Sequence, residues 1–431
     1  MRRAVITGMG TVNSIGTSVE EFWRASLAGT SGVRKITEFP IPDTMSQIAG
    51  VVDDDWAGGE PLSASLQAGG ERPDRSLLFA LCAVREAMAD AGLDRDAVRT
   101  MAPGTAGVYV STAIAHITRM EAEFRRGSRE GKEQLTRLRF ANDRPSSANP
   151  FFFGSTNAEI AAAVGVKSGF ATMTTGCTGG VDAVGSALQA IRHGGLDLVI
   201  TGATEAPITP LVVAAFSQIN ATSLRNADPT GASRPFDVDR DGFVLAEGCG
   251  VLILESLDHA LARGARIYAE IRGFGSVNNC FHMTSMPDSG EPIAAASRQA
   301  MDDASVPEDA VDFVNMHGSS TPQNDLAEAN ALRLLLGARA GTVPVTSIKS
   351  QTGHSLAAAN SIELINSVLS IRDGLIPPTI NLHRQDPAVG LDVVANTARA
   401  AQVACVLKTS SGFGGIHSSL LVTRYDQGAQ R

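Results

Sequence analysis

The sequence predicts an α/β fold with two similar halves, and two observations support this prediction. Short runs rich in β-branched residues alternate with longer segments of helical period, a pattern typical of parallel strands covered by helices. In addition, "TTGCTGGVDAVGSALQAIRHGG" (174–195) and "QTGHSLAAANSIELINSVLSIRDG" (351–374) share Thr-Gly, then Cys or His, a small-residue helical stretch and Ile-Arg-x-Gly. Because a β-like segment precedes each copy, a duplicated α/β half explains the repeat more simply than chance.

The individual elements follow from the same patterns in chain order. Strands are predicted at "RAVITG" (3–8), "AGVYVS" (106–111), "DLVITG" (197–202), "DFVNMH" (312–317) and "PVTSIK" (344–349). The Ala/Leu-rich segment "SLLFALCAVREAMADAGL" (76–93) predicts a helix. The longer run "GFVLAEGCGVLILES" (242–256) predicts either a central strand or a hairpin.

We place the boundary between the halves near residues 257–264. Residues 1–260 then form the half with the repeat cysteine, and residues 261–431 form the half with the repeat histidine. The charged segment 119–139 is predicted to be a solvated helical excursion, with contact to a partner protein as the alternative.

Composition and charge limit the possible classes of function. The net charge of -9 argues against a general nucleic-acid or membrane binder, because such proteins usually carry a basic excess. No apolar run approaches the roughly 20 residues that span a bilayer, and the N-terminus lacks a signal-peptide pattern. The five cysteines are scattered without CxxC spacing, so we expect neither disulfides nor a zinc site but a cytoplasmic protein.

Cys177 lies between glycines at the predicted start of a helix, in "TGCTGG". A thiol attacks as the thiolate, and the free N–H groups and partial positive charge of a helix N-terminus favour that anion. A backbone N–H at this turn is also placed to bind an oxyanion. The alternative is a small buried core residue, because free cysteine is among the most buried residue types.

Two histidines strengthen the catalytic interpretation. His317 ends a predicted strand and enters the turn-rich "GSSTPQND", and His354 occupies the repeat position that matches Cys177. Two neutral imidazoles can donate hydrogen bonds to a developing enolate oxygen, which suits a reaction other than proteolysis. Lys349, in "SIKSQTGH", is placed to orient a histidine and keep it unprotonated, although by itself it reads as a surface lysine.

A glycine-rich turn, "SSGFGGIHSS" (410–419), separates two further β-like segments. It predicts a hairpin in which Phe413 is either a mobile aromatic residue among glycines or the gate of a pocket. The chain contains neither GxGxxG nor GxxxxGK[ST], so no nucleotide cofactor is implied.

Together these pieces resemble the condensing enzymes of the thiolase superfamily, specifically the β-ketoacyl-acyl carrier protein synthases. The resemblance runs over essentially the whole chain, through "AVITGMG", "GCTGG", "SRPFDVDRDGFVLAEG", "VNMHGSSTPQND", "IKSQTGHSLAAA" and "GFGG". The stretches "AAFSQINATSLRNADP" and "HMT" (282–284) look especially like ketosynthase α subunits of bacterial type II polyketide synthases. The resemblance implies a thiolase-like five-layered αβαβα fold made from two duplicated halves.

The resemblance also implies roles for individual residues. Cys177 would accept the acyl chain, while His317 and His354 would assist decarboxylation and stabilise the enolate. Lys349 would support the histidine site, and Glu363 would tie to that lysine.

Phe413 would act as the gate, and its backbone N–H would form the oxyanion hole with that of Cys177. The substrate-binding positions implied by the resemblance, in the phosphopantetheine channel and the glycine loop, are Thr284, Ser319, Thr321, Gly412 and Gly414.

The implied reaction is a ping-pong decarboxylative Claisen condensation of malonyl carrier protein with the acyl chain on Cys177. It needs no metal or redox cofactor. The implied partners are an acyl carrier protein and a chain-length factor subunit, giving a heterodimer. The product, aromatic or polyene-type, and its chain length stay open, as do the carrier-protein docking residues, for which Arg72, Arg75 and residues 125–139 are candidates on charge alone.

Three rival functions share features of this sequence. A chain-length factor resembles the ketosynthase but lacks its cysteine, which is present here. A fatty-acid 3-oxoacyl synthase II acting as a homodimer stays open because of the mixed motif "HGSSTPQND". A Cys-His hydrolase would use Cys177 but would not need two histidines and a lysine.

Several positions depart from the family pattern without removing a catalytic group. Ala357, Asn360, Met316 and the pair Ile416-His417 are unusual residues, and we expect them to affect the shape of the acyl pocket rather than the reaction. The three phenylalanines of "NPFFFGSTN" (149–157) are predicted to pack in the core, with a role in the pocket or dimer interface as the alternative.

Overall fold

The structure, a computed structural model, describes residues 1–53, 74–128, 152–167 and 169–426. Its helices are α1 (Val19–Leu27), α2 (Arg75–Asp90), α3 (Arg95–Thr100), α4 (Ile117–Gly127), α5 (Ser155–Val164), α6 (Gly179–Arg192), α7 (Pro210–Gln218), α8 (Leu257–Ala262), α9 (Glu291–Ala304), α10 (Pro322–Leu336), α11 (Lys349–Thr352) and α12 (Ala357–Asp373).

The strands are β1 (Ala4–Asn13), β2 (Val33–Lys35), β3 (Ile48–Gly50), β4 (Ala106–Ser111), β5 (Phe170–Ala171), β6 (Leu198–Glu205), β7 (Gly248–Ser256), β8 (Ala269–Asn278), β9 (Phe313–Asn315), β10 (Pro344–Thr346), β11 (Leu375–Ile376), β12 (Asp392–Val393), β13 (Arg399–Ala400), β14 (Cys405–Gly412) and β15 (Ile416–Thr423). Eleven of them form one mixed sheet in the order β12-β10-β9-β14-β15-β8-β1-β7-β6-β4-β5.

The two halves of this sheet have the same topology. In the first half β4 pairs in parallel with β5 and β6, while β7 pairs antiparallel with β6 and β1. In the second half β9 pairs in parallel with β10 and β14, while β15 pairs antiparallel with β14 and β8. Because strand order and direction both match, the predicted duplication is confirmed, and a short antiparallel pairing of β1 with β8 joins the halves.

Alternation along the strands separates the core into layers. In β7 the side chains of Leu252 and Leu254 face an inner cluster with α6 and α12, whereas Val251 and Ile253 face an outer cluster with α2. In the second half, Leu421 of β15 likewise faces an outer cluster built on α9 and α10. The layers therefore follow the predicted five-layered arrangement. Helix α2 covers the first half of the sheet, α6 and α12 lie between the two halves, and α9 and α10 cover the second half.

The two central helices approach each other closely at their first turns. A Cβ atom added to Gly180 would lie 2.7 Å from the Ala357 carbonyl oxygen and 2.9 Å from the Ser361 nitrogen. Glycine at this position therefore lets α6 and α12, the helices that follow the two repeat motifs, lie side by side between the sheets.

The element predictions are confirmed at β1, β4, β6, β9, β10 and α2. The run 242–256 contains one strand, β7, which lies between β1 and β6, so the central-strand alternative is right and the hairpin is wrong. The division of the chain at residue 260 falls inside α8 and stays a prediction.

Part of the charged segment 119–139 lies in α4, and residues 129–139 lie outside the described residues. Phe152 and Phe153 are 66% and 38% exposed, so core packing is the wrong prediction for these two; Phe151 lies outside the described residues. Among the helices that the structure describes, none is long and apolar enough to cross a bilayer.

Candidate active site

The candidate catalytic residues come from four turns, two of which follow equivalent strands of the two halves. Cys177 lies in a single 3₁₀ turn (Gly176–Thr178) between β5 and α6, and His354 lies between β10 and α12. The repeat thus places the cysteine and the histidine at equivalent strand-to-helix turns, as predicted. His317 follows β9, and Phe413 occupies the turn between β14 and β15.

The long run before β7 holds His354 in place. The His354 backbone N–H donates to the Val244 carbonyl oxygen at 2.7 Å, and the Ala246 N–H donates to the His354 carbonyl oxygen at 3.0 Å. This ladder-like pair fixes the backbone of His354 against the first half of the molecule. The first part of "GFVLAEG" therefore positions a residue of the other half.

One cavity of about 380 Å³ connects these turns. Cys177, His317, His354 and Phe413 all line it. Four of the five predicted substrate-binding residues also line it: Thr284, Ser319, Thr321 and Gly412. The fifth, Gly414, is outside the lining, and its N–H donates to the Met283 carbonyl oxygen at 2.7 Å.

Cys177 is partly buried and lines the cavity. Burial raises its pKa to about 11, and the Glu205 carboxyl adds to the rise. The Lys349 ammonium and the backbone N–H groups of Phe413 and Cys177 lower the pKa but do not outweigh burial. Burial therefore opposes the thiolate more strongly than these groups favour it, because desolvation of the anion is costly.

The two histidines form a buried pair with their rings nearly perpendicular. The ring centroids of His317 and His354 are 5.2 Å apart, and the Phe243 ring contacts His354 edge-on at 5.3 Å. Among the described residues, neither Nδ1 atom has a hydrogen-bonding partner. Both rings therefore depend on packing rather than on hydrogen bonds for their orientation.

Both imidazoles are neutral at physiological pH. Burial lowers the pKa of each ring well below the usual 6.5, and the ammonium groups of Lys349 and Lys408 lower it further. Because the unfolded chain binds these protons more readily, the contribution of the neutral pair to stability is present above pH 6.5 and is lost as the pH falls below it.

Behind the histidines lies a buried group of charges. The Lys349 Nζ donates to the His317 carbonyl oxygen at 2.6 Å and to Glu363 Oε1 at 2.5 Å. Glu363 and Lys349 are almost fully buried and lie outside the cavity lining. Neither residue lines the cavity, so they act on the reaction through their charges and through the His317 backbone rather than by contact with substrate.

The sequence analysis missed two charged members of this group. Lys408, on β14, is fully buried, with its Nζ 2.7 Å from Glu363 Oε2. Glu328, on α10, accepts from the His317 N–H at 2.8 Å and the Gly318 N–H at 2.7 Å. A lysine inside the apolar run "ACVLKTSSG" was a usable signal, since a buried ammonium needs a carboxylate partner.

The Phe413 turn is hydrogen-bonded to the loop after β8. The Asn278 side-chain amide donates to the Gly414 carbonyl oxygen at 2.7 Å, and the Asn279 N–H donates to the Gly415 carbonyl oxygen at 2.8 Å. The Phe413 ring is 39% exposed and lies 6.4 Å from the Phe216 ring. Phe216 and Phe243 form an aromatic wall of the cavity that the sequence did not reveal.

The unusual residues Ala357, Asn360 and Met316 are buried and do not line the cavity. The Asn360 side-chain amide donates to the Cys177 carbonyl oxygen, so it supports the nucleophile turn instead of shaping a pocket.

His417 is also buried behind the cavity, with its Nδ1 2.9 Å from the Ser411 hydroxyl.

Of the candidate docking arginines, Arg75 pairs with Glu247 at 2.7 Å, and Arg72 lies outside the described residues.

The raised thiol pKa makes a testable prediction. We expect the rate of Cys177 alkylation by iodoacetamide to keep rising to about pH 10, with an apparent pKa of about 11, because only the thiolate reacts. Peptide mass spectrometry after timed alkylation measures this rate, and the exposed Cys280 gives the reactivity of the reagent in the same sample. A plateau below pH 8 at Cys177 would contradict the prediction.

Comparison with known proteins gives a consistent picture. Residues 1–260 match the family model for the β-ketoacyl synthase N-terminal domain, and residues 268–383 match that for the C-terminal domain. The chain is 42% identical over 435 residues to the granaticin polyketide putative β-ketoacyl synthase 1 of Streptomyces violaceoruber, covering 99% of this chain and 100% of that protein.

Two solved structures are similar over 99% of this chain and 100% of theirs. One is a ketosynthase bound to the hexaketide, in complex with its type II PKS acyl-carrier protein (AntDE:AntF), with a TM-score of 0.89 and 38% identity. The other is the ishigamide ketosynthase/chain length factor, with a TM-score of 0.86 and 33% identity.

Proposed function

The chain belongs to the β-ketoacyl synthase family, and from that premise we propose that it is the condensing subunit of a type II polyketide synthase. It transfers an acyl chain and forms a carbon-carbon bond by decarboxylative Claisen condensation with malonyl carrier protein. The observation that carries this proposal is the convergence of Cys177, His317, His354 and Phe413 on one cavity.

In the first half-reaction the Cys177 sulfur attacks the thioester carbonyl of the acyl carrier protein. The thiol is protonated at rest, so its proton must leave as the new carbon-sulfur bond forms, and it ends on the released phosphopantetheine thiol. The backbone N–H groups of Phe413 and Cys177 favour the anionic sulfur, and we propose that they also bind the oxyanion. The chain is then held as a thioester on Cys177.

In the second half-reaction malonyl carrier protein enters the same cavity and loses CO₂. The electron pair of the broken carbon-carbon bond becomes an enolate, whose oxygen accepts hydrogen bonds from His317 and His354. Neutral imidazoles suit this role because each keeps one ring N–H as a donor. The enolate carbon then attacks the Cys177 thioester and expels Cys177 as the thiolate, which takes up one proton from solvent to restore the thiol.

Decarboxylation supplies the carbon nucleophile in this scheme, so we propose that no metal or redox cofactor takes part. Thr284, Ser319 and Thr321 present hydroxyl groups along the cavity wall and are proposed to contact the phosphopantetheine arm. Gly412 lies beside Cys177, where a Cβ atom would be 3.5 Å from the Cys177 nitrogen, and leaves room for the thioester.

We propose an acyl carrier protein and a chain-length factor as partners. Similar structures include a ketosynthase in complex with its acyl-carrier protein and a ketosynthase/chain length factor, which supports both. Cys177 distinguishes this chain from a chain-length factor. Similarity to polyketide synthases along the full chain favours this assignment over a homodimeric fatty-acid synthase.

The proposal is tested by incubating the protein, with a co-expressed chain-length factor, with acyl and malonyl carrier proteins. Intact-mass spectrometry is expected to show an acyl adduct on the protein, followed by a chain on the carrier protein longer by one or more ketide units. Free fatty acid with no elongated chain would contradict the proposal and favour a Cys-His hydrolase. Full elongation without the second subunit, by a homodimer in native mass spectrometry, would favour the fatty-acid alternative.

A further inference from the structure

Lys408 is a fully buried lysine in the core of the protein. It lies in the middle of β14, two residues after Val406, and both side chains face the central helix layer. Its Nζ lies 2.7 Å from Glu363 Oε2, and it donates to the Thr409 carbonyl oxygen at 2.7 Å. An ammonium at this depth is tolerated only because the carboxylate compensates for lost hydration.

Each carboxylate oxygen of Glu363 therefore faces a different lysine ammonium. Lys349 binds one carboxylate oxygen at 2.5 Å, and Lys408 faces the other. Lys349 alone already gives Glu363 a counter-ion, so a second lysine is not needed to satisfy one carboxylate. Its presence calls for a different explanation.

The charge balance around the histidines explains the second lysine. Glu328 is the second buried carboxylate of this neighbourhood, and it contacts the His317 backbone. When ionised, Lys349, Glu363 and Glu328 together carry one negative charge, and the Lys408 ammonium cancels it. A net negative charge here would oppose an enolate and favour protonated imidazoles.

The neighbouring groups do not change this balance. Asp325 faces Arg240 at 3.5 Å, an arginine that also binds the partly exposed Asp386 at 2.9 Å. Burial holds His417 neutral by lowering its pKa to about 4. Burial also raises the pKa of Glu205 to about 8, so that carboxyl is mostly protonated at neutral pH.

We infer that Lys408 is a positioning residue of the decarboxylation half-reaction, which removes the negative charge behind His317 and His354 and so supports the enolate that they bind. This inference rests on the proposed function. Lys408 acts through two routes. Its positive charge lowers the pKa of both imidazole rings. Its Nζ also binds the Thr409 carbonyl oxygen, and the Thr409 hydroxyl donates to Glu328 at 2.7 Å and accepts from the His317 N–H at 3.3 Å.

The test compares Lys408→Met, which removes the charge, with Lys408→Arg, which keeps it, in assays of CO₂ release from malonyl carrier protein. We expect the methionine variant to lose about tenfold in rate at pH 7, as for loss of an electrostatic contribution to the transition state. Cys177 alkylation by iodoacetamide is expected to change less than about twofold, because the largest shifts of the thiol pKa come from burial, Lys349 and Glu205 rather than from Lys408.

The pH profile separates charge from packing. Burial, with Lys349 next to it, lowers the pKa of Lys408 to about 8 in spite of Glu363, so we expect the wild-type rate to fall as this ammonium loses its proton above pH 8. Lys408→Arg should move that fall to higher pH, because guanidinium stays protonated. Glu205 titrates in the same range, and its contribution would be unchanged in the arginine variant.

Val406→Ala is the matched control, a buried change on the same face of the same strand, expected to lower the melting temperature without moving the pH profile. Lys408→Gln replaces the methionine variant if that does not fold. Equal loss of CO₂ release and alkylation, or an unchanged alkaline fall in Lys408→Arg, would overturn the inference. Absence of CO₂ release in the wild type would instead refute the proposed function.

Discussion

Replacing Cys177 with alanine is expected to abolish acylation of the protein and chain elongation, by at least about a thousandfold, because the thioester intermediate cannot form. CO₂ release from malonyl carrier protein is expected to persist, since the two histidines and the cavity remain. The acyl adduct is followed by intact mass and the elongated chain by mass analysis of the carrier protein.

Cys280→Ala is the matched control for this variant. Cys280 is exposed and does not line the cavity, so its loss should leave acylation and elongation unchanged. Acylation that survives Cys177→Ala but disappears in Cys280→Ala would show that Cys280, not Cys177, is the nucleophile. Acylation that survives in both would return Cys177 to a structural role.

Much of the fold was predictable because its signals are local. The runs that became β1, β4 and β6 are short, β-branched and bounded by turn residues, and the repeat placed Cys177 and His354 at equivalent turns before any contact was known. Cys177, His317 and His354 could be found for the same reason, since each ends or follows a strand within a recognisable motif.

The remainder depends on contacts between distant parts of the chain. The raised pKa of Cys177 results from burial among residues distant in the chain, which no feature of "TGCTGG" encodes. Lys408 and Glu363 are 45 positions apart, and only the packing of β14 on α12 makes them an ion pair. Phe152 and Phe153 are apolar residues of the kind that predicts burial, but both are exposed in the described part of the chain.

The histidine pair allows a second strong test, because its effect should fall on the other half-reaction. We expect His317→Ala and His354→Ala each to slow CO₂ release by roughly 10²- to 10³-fold, the cost of removing one hydrogen bond to a developing oxyanion. The double variant should be only slightly slower than either single variant, because the two donors serve one enolate oxygen.

Acylation of Cys177 should change far less in these variants, since the N–H groups of Phe413 and Cys177 remain in place. His193→Ala, an exposed histidine at the end of α6, is the control that should leave both half-reactions unchanged. If either active-site variant lost acylation as severely as CO₂ release, with an unchanged melting temperature, that histidine would be a base for Cys177 and not an enolate donor. Opposite patterns in Cys177→Ala and the histidine variants are therefore what a two-step condensing enzyme requires.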